Sequence, residues 1–235
     1  MMLSRGIKLL FLFVCPLLVI SNTVQRRDVE VGSKGESYLL SQFSPDKHAK
    51  KDKLQLVLKR KLQLSECIVS ENAFHVGSLT HEPIACYFCD LQEDVWESQR
   101  ADPSALPSYR DMQGRSDHCS EHIYPLNLQE VAEAARLYDI ENEKKTSPVK
   151  GVIFHQHKSG STVLTNAIIA AEGDNSRVYS DHPAVYSIGA ACDRDGYSKN
   201  CAFDLQTKAM TDVLYLLTRT SKYRVQFYRR SVMCC

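Results

Sequence analysis

Hydrophobic residues recur with helical spacing in two stretches of the second half of the chain. Between residues 128 and 138 they lie three or four positions apart, which is typical of a helix with one buried face. Asn127 can cap the first turn of this helix, and Glu130 follows three positions later. Residues 203–218 have similar spacing and predict a second amphipathic helix, of about four turns.

A strand, a glycine-containing loop and a helix are predicted in succession after residue 148. Residues 151–154 form a short apolar run of β-forming residues, which leads into the loop. Residues 223–232 predict a further strand. The helix after the loop is predicted to bury one stripe, formed by Val163, Leu164, Ala167, Ile168 and Ala171. This order predicts an α/β fold with a small parallel sheet flanked by helices.

The first half of the chain has a less regular pattern. Leucines between residues 54 and 64 mix the spacings of helix and strand, so the pattern does not separate the two. Residues 67–124 show no long periodicity and predict an irregular region tied by disulfides. The predicted organisation therefore has four parts, which are a targeting segment (1–21), a flexible stem (22–53), an irregular cysteine-containing region (54–148) and a partial α/β domain (149–235).

The amino-terminal segment has the layout of a signal peptide. Arg5 and Lys8 precede the apolar run 9–20, which polar residues follow. This run is shorter than the roughly 20 residues of a membrane-spanning helix. A retained, short type II anchor is the alternative, and only then would a membrane be a partner. Both alternatives place the rest of the chain in the secretory pathway, in the Golgi lumen or outside the cell.

Composition and charge exclude some classes of protein. A hydrophobic content of 43% is enough for a folded core, and a net charge of +1 gives no support for a nucleic acid as partner. Within the stem, the basic cluster between residues 47 and 53 is interpreted as a solvated charge run rather than a docking patch.

The nine cysteines are interpreted mainly as disulfide partners, because the secretory compartment is oxidising. Cys192 and Cys201 flank a polar loop and form the most suggestive pair, while the other pairings stay open. A zinc site is a weaker alternative, since tetrahedral sites use such sets of cysteine and histidine. Its ligands would come from Cys86, Cys89, His118, Cys119 and His122.

The loop after the strand of residues 151–154 has the chemistry of a phosphate-binding turn. Backbone N–H groups at the start of a helix converge on one point, where the helix dipole also favours negative charge. The loop residues add a positive charge, a close backbone approach and hydroxyl donors, and they are Lys158, Ser159, Gly160, Ser161 and Thr162. The nucleotide-binding order Gly-Lys-Ser/Thr is missing, which disfavours a nucleotide kinase or NTPase.

The stretch 158–162 resembles the 5′-phosphosulfate-binding loop of the sulfotransferase family. The resemblance implies a sulfuryl donor, 3′-phosphoadenosine 5′-phosphosulfate, as co-substrate, with no metal. It also implies a carbohydrate or protein hydroxyl as acceptor. Lys158 would stabilise charge on the leaving phosphate. The resemblance also implies a second strand after the loop helix, at residues 177–179, and Asp181 or His182 at its end would take the acceptor proton. His155 and His157 are interpreted as alternate-face positions at a strand end.

The resemblance is incomplete beyond this strand-loop-helix unit. The family's second signature, an arginine and a serine that hold the donor's 3′-phosphate, is not found after residue 218, and residues 229–235 are typical of a truncated or aberrant end. An inactive sulfotransferase-like protein is compatible with this departure. The alternative is a secreted, disulfide-stabilised binding or structural protein in which the loop is vestigial.

Overall fold

The computed structural model describes residues 47–70, 72–76, 82–121, 124–147, 149–155, 160–172, 176–192, 200–219 and 225–231. The predicted targeting segment and the larger part of the predicted stem lie outside these ranges. Among the residues described, no helix is both long enough and apolar enough to cross a membrane. Helices and strands are both present, which confirms the predicted mixed α/β class.

The first half of the described chain contains a small antiparallel sheet. Its strands are β1 (Gln63–Ile68), β2 (Ala85–Cys89) and β3 (Leu126–Asn127), in that spatial order. Helix α1 (Lys47–Leu58) precedes the sheet. Between β2 and β3 the chain forms two helices and a 3-10 turn, which are α2 (Glu93–Ala101), α3 (Tyr109–Arg115) and Asp117–Glu121.

A parallel sheet forms the second half. Its strands are β4 (Val149–His155), β5 (Ser176–Ser180) and β6 (Val225–Ser231), and β6 lies between the other two. Helix α4 (Leu128–Glu141) precedes β4, and α5 (Ser161–Glu172) connects β4 to β5. Helices α6 (Pro183–Ala190) and α7 (Phe203–Thr218) lie between β5 and β6.

The elements with strong local patterns agree with the sequence. Helix α4 begins after Asn127, whose side chain accepts hydrogen bonds from the backbone N–H groups of Gln129 and Glu130. It continues three residues beyond the predicted end, to Glu141. Helix α7 has the predicted bounds, and the three strands of the parallel sheet lie at the predicted positions.

The predicted irregular region is instead regular in its first part. Strand β1 pairs with β2, with Leu64 opposite Phe88 and Cys67 opposite Cys86. Each strand is short, and its partner lies far away along the chain, so no local periodicity could indicate the pairing. The antiparallel sheet therefore corrects the sequence prediction.

The predicted flexible stem also differs from the structure at its carboxyl end. Helix α1 begins at Lys47, inside the segment interpreted as a solvated charge run. Lys53 is buried, and its Nζ donates to the carbonyl oxygen of Tyr124 at 2.5 Å. Burial lowers the pKa of Lys53 to about 8. The basic cluster thus includes a residue that packs into the fold.

Helix α5 forms as predicted but buries another face. Ser161, Thr165 and Ile169, four residues apart, are buried. Val163 is 72% exposed and Leu164 is 50% exposed, although the apolar stripe predicted that both would be buried. The helix packs on β5 through its smaller and more polar face, so hydrophobicity alone identified the wrong side.

Three disulfides join the described cysteines. They are Cys67–Cys86, Cys89–Cys119 and Cys192–Cys201. The predicted pair of Cys192 and Cys201 is confirmed, and so is the interpretation of the cysteines as mainly disulfide partners. The first two disulfides tie together the antiparallel sheet and the 3-10 turn that follows α3.

An aromatic contact connects strand β5 of the parallel sheet to helix α2. Tyr179 of β5 is buried, and its ring lies 5.5 Å from that of Trp96 in an edge-on arrangement. The guanidinium of Arg177 lies over the Trp96 ring, 4.1 Å from the ring centre. The outer strand β5 is thereby packed against the helices of the first half.

Candidate functional site

The carboxyl ends of β4, β5 and β6 lie at one edge of the parallel sheet, because parallel strands run in the same direction. The loop that contains Gly160 follows β4, and Asp181 directly follows β5. Since β6 lies between them, these two strand ends are about 10 Å apart. In open α/β sheets, ligands bind outside the carboxyl ends of the strands. The topology therefore brings the two parts of the predicted site to the same edge.

Gly160, in the predicted loop, has a left-handed backbone conformation. Its φ angle is +78°, in the left-handed region that favours glycine. Its carbonyl oxygen accepts from the N–H groups of Val163 and Leu164, at 3.0 and 3.3 Å. Gly160 is therefore the capping residue of α5, and the chain turns sharply there into the first helical turn.

Of the remaining loop residues, the structure describes Ser161 and Thr162. They are the first two residues of α5, at the end of the helix where the dipole favours negative charge. Ser161 is buried, and its carbonyl oxygen accepts from the Thr165 hydroxyl at 2.9 Å. Lys158 and Ser159 lie outside the described residues, and so does His157. Of His155, the structure describes the backbone, at the carboxyl end of β4.

Asp181 lies at the turn between β5 and α6. Its φ angle is +50°, a conformation that aspartate adopts more readily than most residues with a side chain. The side chain is half-buried. Backbone conformations of this kind concentrate at functional sites, and a carboxylate at this position can accept a proton from a ligand at the sheet edge.

His182 has a structural role in this arrangement. Its Nδ1 accepts from the N–H of Ala184 at 3.2 Å, which caps α6, and its Nε2 lies 3.1 Å from the carbonyl oxygen of Leu64. Because a carbonyl can only accept, Nε2 carries the proton, and the neutral ring satisfies both contacts. The side chain is completely buried, and this burial lowers the pKa of His182 to about 3.

The sequence prediction did not include the arginines at the end of β6. Arg229 pairs with Ser180 of β5 and Ile153 of β4, and Arg230 pairs with Phe154. Both positions therefore lie near the carboxyl edge, between the two strands that carry the candidate site. In the sequence, the two arginines stand near the end of a predicted strand. Only the strand order in the structure shows that this strand lies beside β4, which leads into the loop.

The zinc alternative is not compatible with the cysteine pairing. Cys86 bonds to Cys67, and Cys89 bonds to Cys119, so these sulfurs are not thiolates that could bind a metal. Within the described ranges, no group of three or more His, Cys, Asp or Glu side chains could hold a metal ion. His122 lies outside these ranges.

The chain was compared with protein-family models, with curated proteins and with solved structures. None of the three comparisons gives a significant match.

Proposed function

We propose that this protein is sulfotransferase-like, and that the carboxyl edge of its parallel sheet binds 3′-phosphoadenosine 5′-phosphosulfate. The observation that carries the proposal is the unit β4, loop and α5, in which Gly160 has a positive φ at the start of the helix. The resemblance of residues 158–162 to the family's phosphosulfate-binding loop falls on this same turn.

The chemistry of the turn suits the 5′-phosphate end of the donor. N–H groups of a first helical turn and the positive end of the helix dipole favour an anion. Lys158 would add a full positive charge, and Ser161 and Thr162 hydroxyl donors. One well-placed donor that stabilises charge growing on a leaving group contributes on the order of 3 kcal/mol to transition-state stabilisation.

The proposed reaction transfers a sulfuryl group to a hydroxyl of a carbohydrate or protein. The bond between sulfur and the bridging oxygen of the donor breaks, and a bond forms between sulfur and the acceptor oxygen. Asp181 takes the acceptor proton, and adenosine 3′,5′-bisphosphate leaves. His182 is less suited to this step, since both of its ring nitrogens have partners and the neutral ring is buried.

Arg229 and Arg230 extend the proposal to the donor's second phosphate. The family uses an arginine on a later strand for the 3′-phosphate, and the sequence alone offered no residue for this role. β6 is the later strand here, and its register brings both arginines near the carboxyl edge. We assign one of them to the 3′-phosphate.

Binding of adenosine 3′,5′-bisphosphate, measured by thermal unfolding of the oxidised full chain, tests the proposal. A ligand at 100 times its dissociation constant stabilises the folded state by about 2.7 kcal/mol. We expect a saturable rise in Tm that is lost in Lys158→Ala. Lys150→Ala is the matched control, because Lys150 lies at the opposite end of β4, and this variant should respond as the wild type does.

The other outcomes of this titration separate the alternatives. A wild type that does not respond would favour the secreted binding or structural protein, for which the three disulfides and the structural role of His182 are the supporting observations. A response that survives in Lys158→Ala would overturn the assignment of the loop. A response to ATP that needs magnesium, without one to the bisphosphate, would favour an NTPase.

A further inference from the structure

A small cavity with three arginines in its wall lies away from the candidate site. Its volume is about 20 Å³, and it lies where α1, β1, β5 and α7 meet. The polar part of the wall consists of Arg60, Gln63, Arg177 and Arg219, while the rest is mainly apolar. Three arginines therefore line a space that holds one small atom or molecule.

Arg219 is fully engaged by protein groups. Its Nε and Nη2 donate to the two carboxylate oxygens of Asp139, at 2.8 and 2.9 Å. Its Nη1 and Nη2 also donate to the carbonyl oxygens of Val57 and Leu58, in the last turn of α1. Arg219 and Asp139 are both buried, and together they form a neutral pair.

Arg60 is a second cation on the same carboxylate. Its Nη2 lies 3.1 Å from Asp139 Oδ2, and its Nη1 donates to the carbonyl oxygen of Lys145. Its Nε is buried and has no hydrogen-bond partner among the described residues. Two guanidiniums thus share one carboxylate, and this cluster has one positive charge that Asp139 does not balance.

The backbone conformation at Arg60 is one that usually favours glycine. Arg60 follows the end of α1 with a φ angle of +60°. The N–H of Arg60 bonds to the carbonyl of Val57, and the N–H of Lys61 bonds to that of Leu56. This pair of bonds is the Schellman motif, in which glycine is the usual residue at the position of Arg60. A long cationic side chain occupies a place where glycine would be less strained.

We propose that this cavity is a binding site for one small monovalent anion, with chloride as its ordinary occupant. An unbalanced positive charge on the half-buried Arg60 is unfavourable where solvent is partly excluded, and one negative charge would neutralise it. A monovalent anion such as a halide would balance this single charge, whereas sulfate, with two negative charges, would overcompensate it. A water molecule would fill the space but, being neutral, would leave the positive charge unbalanced.

The dependence of stability on chloride tests the site. Urea unfolding of the oxidised full chain is measured as chloride is replaced by gluconate at constant ionic strength. Above the dissociation constant of the site, a tenfold rise in chloride should lower the unfolding equilibrium constant about tenfold. Bromide soaked into crystals should give an anomalous peak beside Arg60 and Arg219.

Two glycine variants provide the matched comparison. Arg60→Gly removes the guanidinium and suits the left-handed backbone, so the variant should fold and lose the chloride dependence. Glu143→Gly changes another residue with a positive φ, +50°, that does not line the cavity, and it should keep the dependence. Arg60→Lys keeps the positive charge and should retain part of the chloride dependence.

Three results would overturn the proposal. Equal stability of the wild type in chloride and gluconate, with no bromide peak, would indicate a water-filled cavity. A chloride dependence that is unchanged in Arg60→Gly would mean that chloride acts elsewhere. A bromide peak confined to the protein surface would lead to the same conclusion.

Discussion

The imidazole Nε2 of His182 lies 3.1 Å from the carbonyl oxygen of Leu64. The same oxygen accepts a hydrogen bond of 3.0 Å from the hydroxyl of Tyr109. Leu64 belongs to β1 of the antiparallel sheet, and His182 follows β5 of the parallel sheet. This contact holds the turn that carries Asp181 against the first half of the fold.

The buried His182 predicts a dependence of stability on pH. Its pKa is lowered from 6.5 to about 3 in the folded state, so the unfolded chain takes up a proton at a higher pH than the folded one. The free energy of unfolding should therefore fall as the pH falls below about 6.5, by up to about 1.4 kcal/mol per pH unit until about pH 3.

His182→Asn isolates this contribution, because asparagine can cap α6 but does not titrate. The variant should be less stable than the wild type at pH 7, and the difference should shrink towards pH 4. Urea unfolding at several pH values measures both curves. Parallel curves for the two proteins would contradict the assignment.

Two glycines in or beside helices predict opposite effects of the same substitution. An added Cβ would meet no atom of the described residues within 4 Å at either Gly160 or Gly114, so neither substitution causes a clash there. Gly160→Ala should destabilise by about 1–2 kcal/mol because its φ is +78°. Gly114→Ala, within α3, should stabilise by about 0.5–1 kcal/mol.

Thermal or urea unfolding measures both effects, and adenosine 3′,5′-bisphosphate separates stability from binding. Gly160→Ala should weaken the response to this ligand, whereas Gly114→Ala should leave it unchanged. Equal effects on binding would argue against a role for the turn at Gly160.

The carboxylate of Asp139 is predicted to be the most important acidic group for stability in the described part of the chain. Burial raises the pKa of this group, but hydrogen bonds from Arg219 and Tyr215 outweigh it and hold the pKa below its ordinary value. Asp139→Asn would leave buried guanidiniums without their counter-charge and should cost about 3–5 kcal/mol.

Asp212→Asn is the comparison variant, since Asp212 is also buried but pairs with the more exposed Arg136. It should cost less than half as much, because solvent screens the arginine that remains. Urea unfolding at pH 7 compares the two, and similar costs would show that the cluster around Asp139 is not special.

The disulfides predict an order of destabilisation. Cys89–Cys119 closes a loop of 30 residues and Cys192–Cys201 one of 9. If disulfides stabilise by reducing the entropy of the unfolded chain, the disulfide that closes the longer loop contributes more. Replacing both of its cysteines by serine should lower the free energy of unfolding by about 1 kcal/mol more than the same change at Cys192 and Cys201. Unfolding of the two double variants measures the difference, and the reverse order would indicate that packing around the sulfurs in the folded state outweighs chain entropy.

Much of the secondary structure depended on local information, which is why the sequence predicted it. The helical spacing of 203–218 and the capping position of Asn127 involve residues within a few turns of one another. Strand β4 contains the apolar run 152–154, and the disulfide between Cys192 and Cys201 closes a short loop. The positive φ angle of Gly160 is likewise a local property, since glycine adopts this conformation without help from distant residues.

Only the tertiary structure decided which distant residues meet. The sequence alone determined that His182 follows a strand, but its burial and its bond to Leu64 depend on the packing of two sheets. The exposed apolar face of α5 and the arrangement of Arg60 and Arg219 around Asp139 likewise result from long-range contacts. Periodicity reports one element at a time, whereas burial and charge balance depend on all the elements packed around a residue.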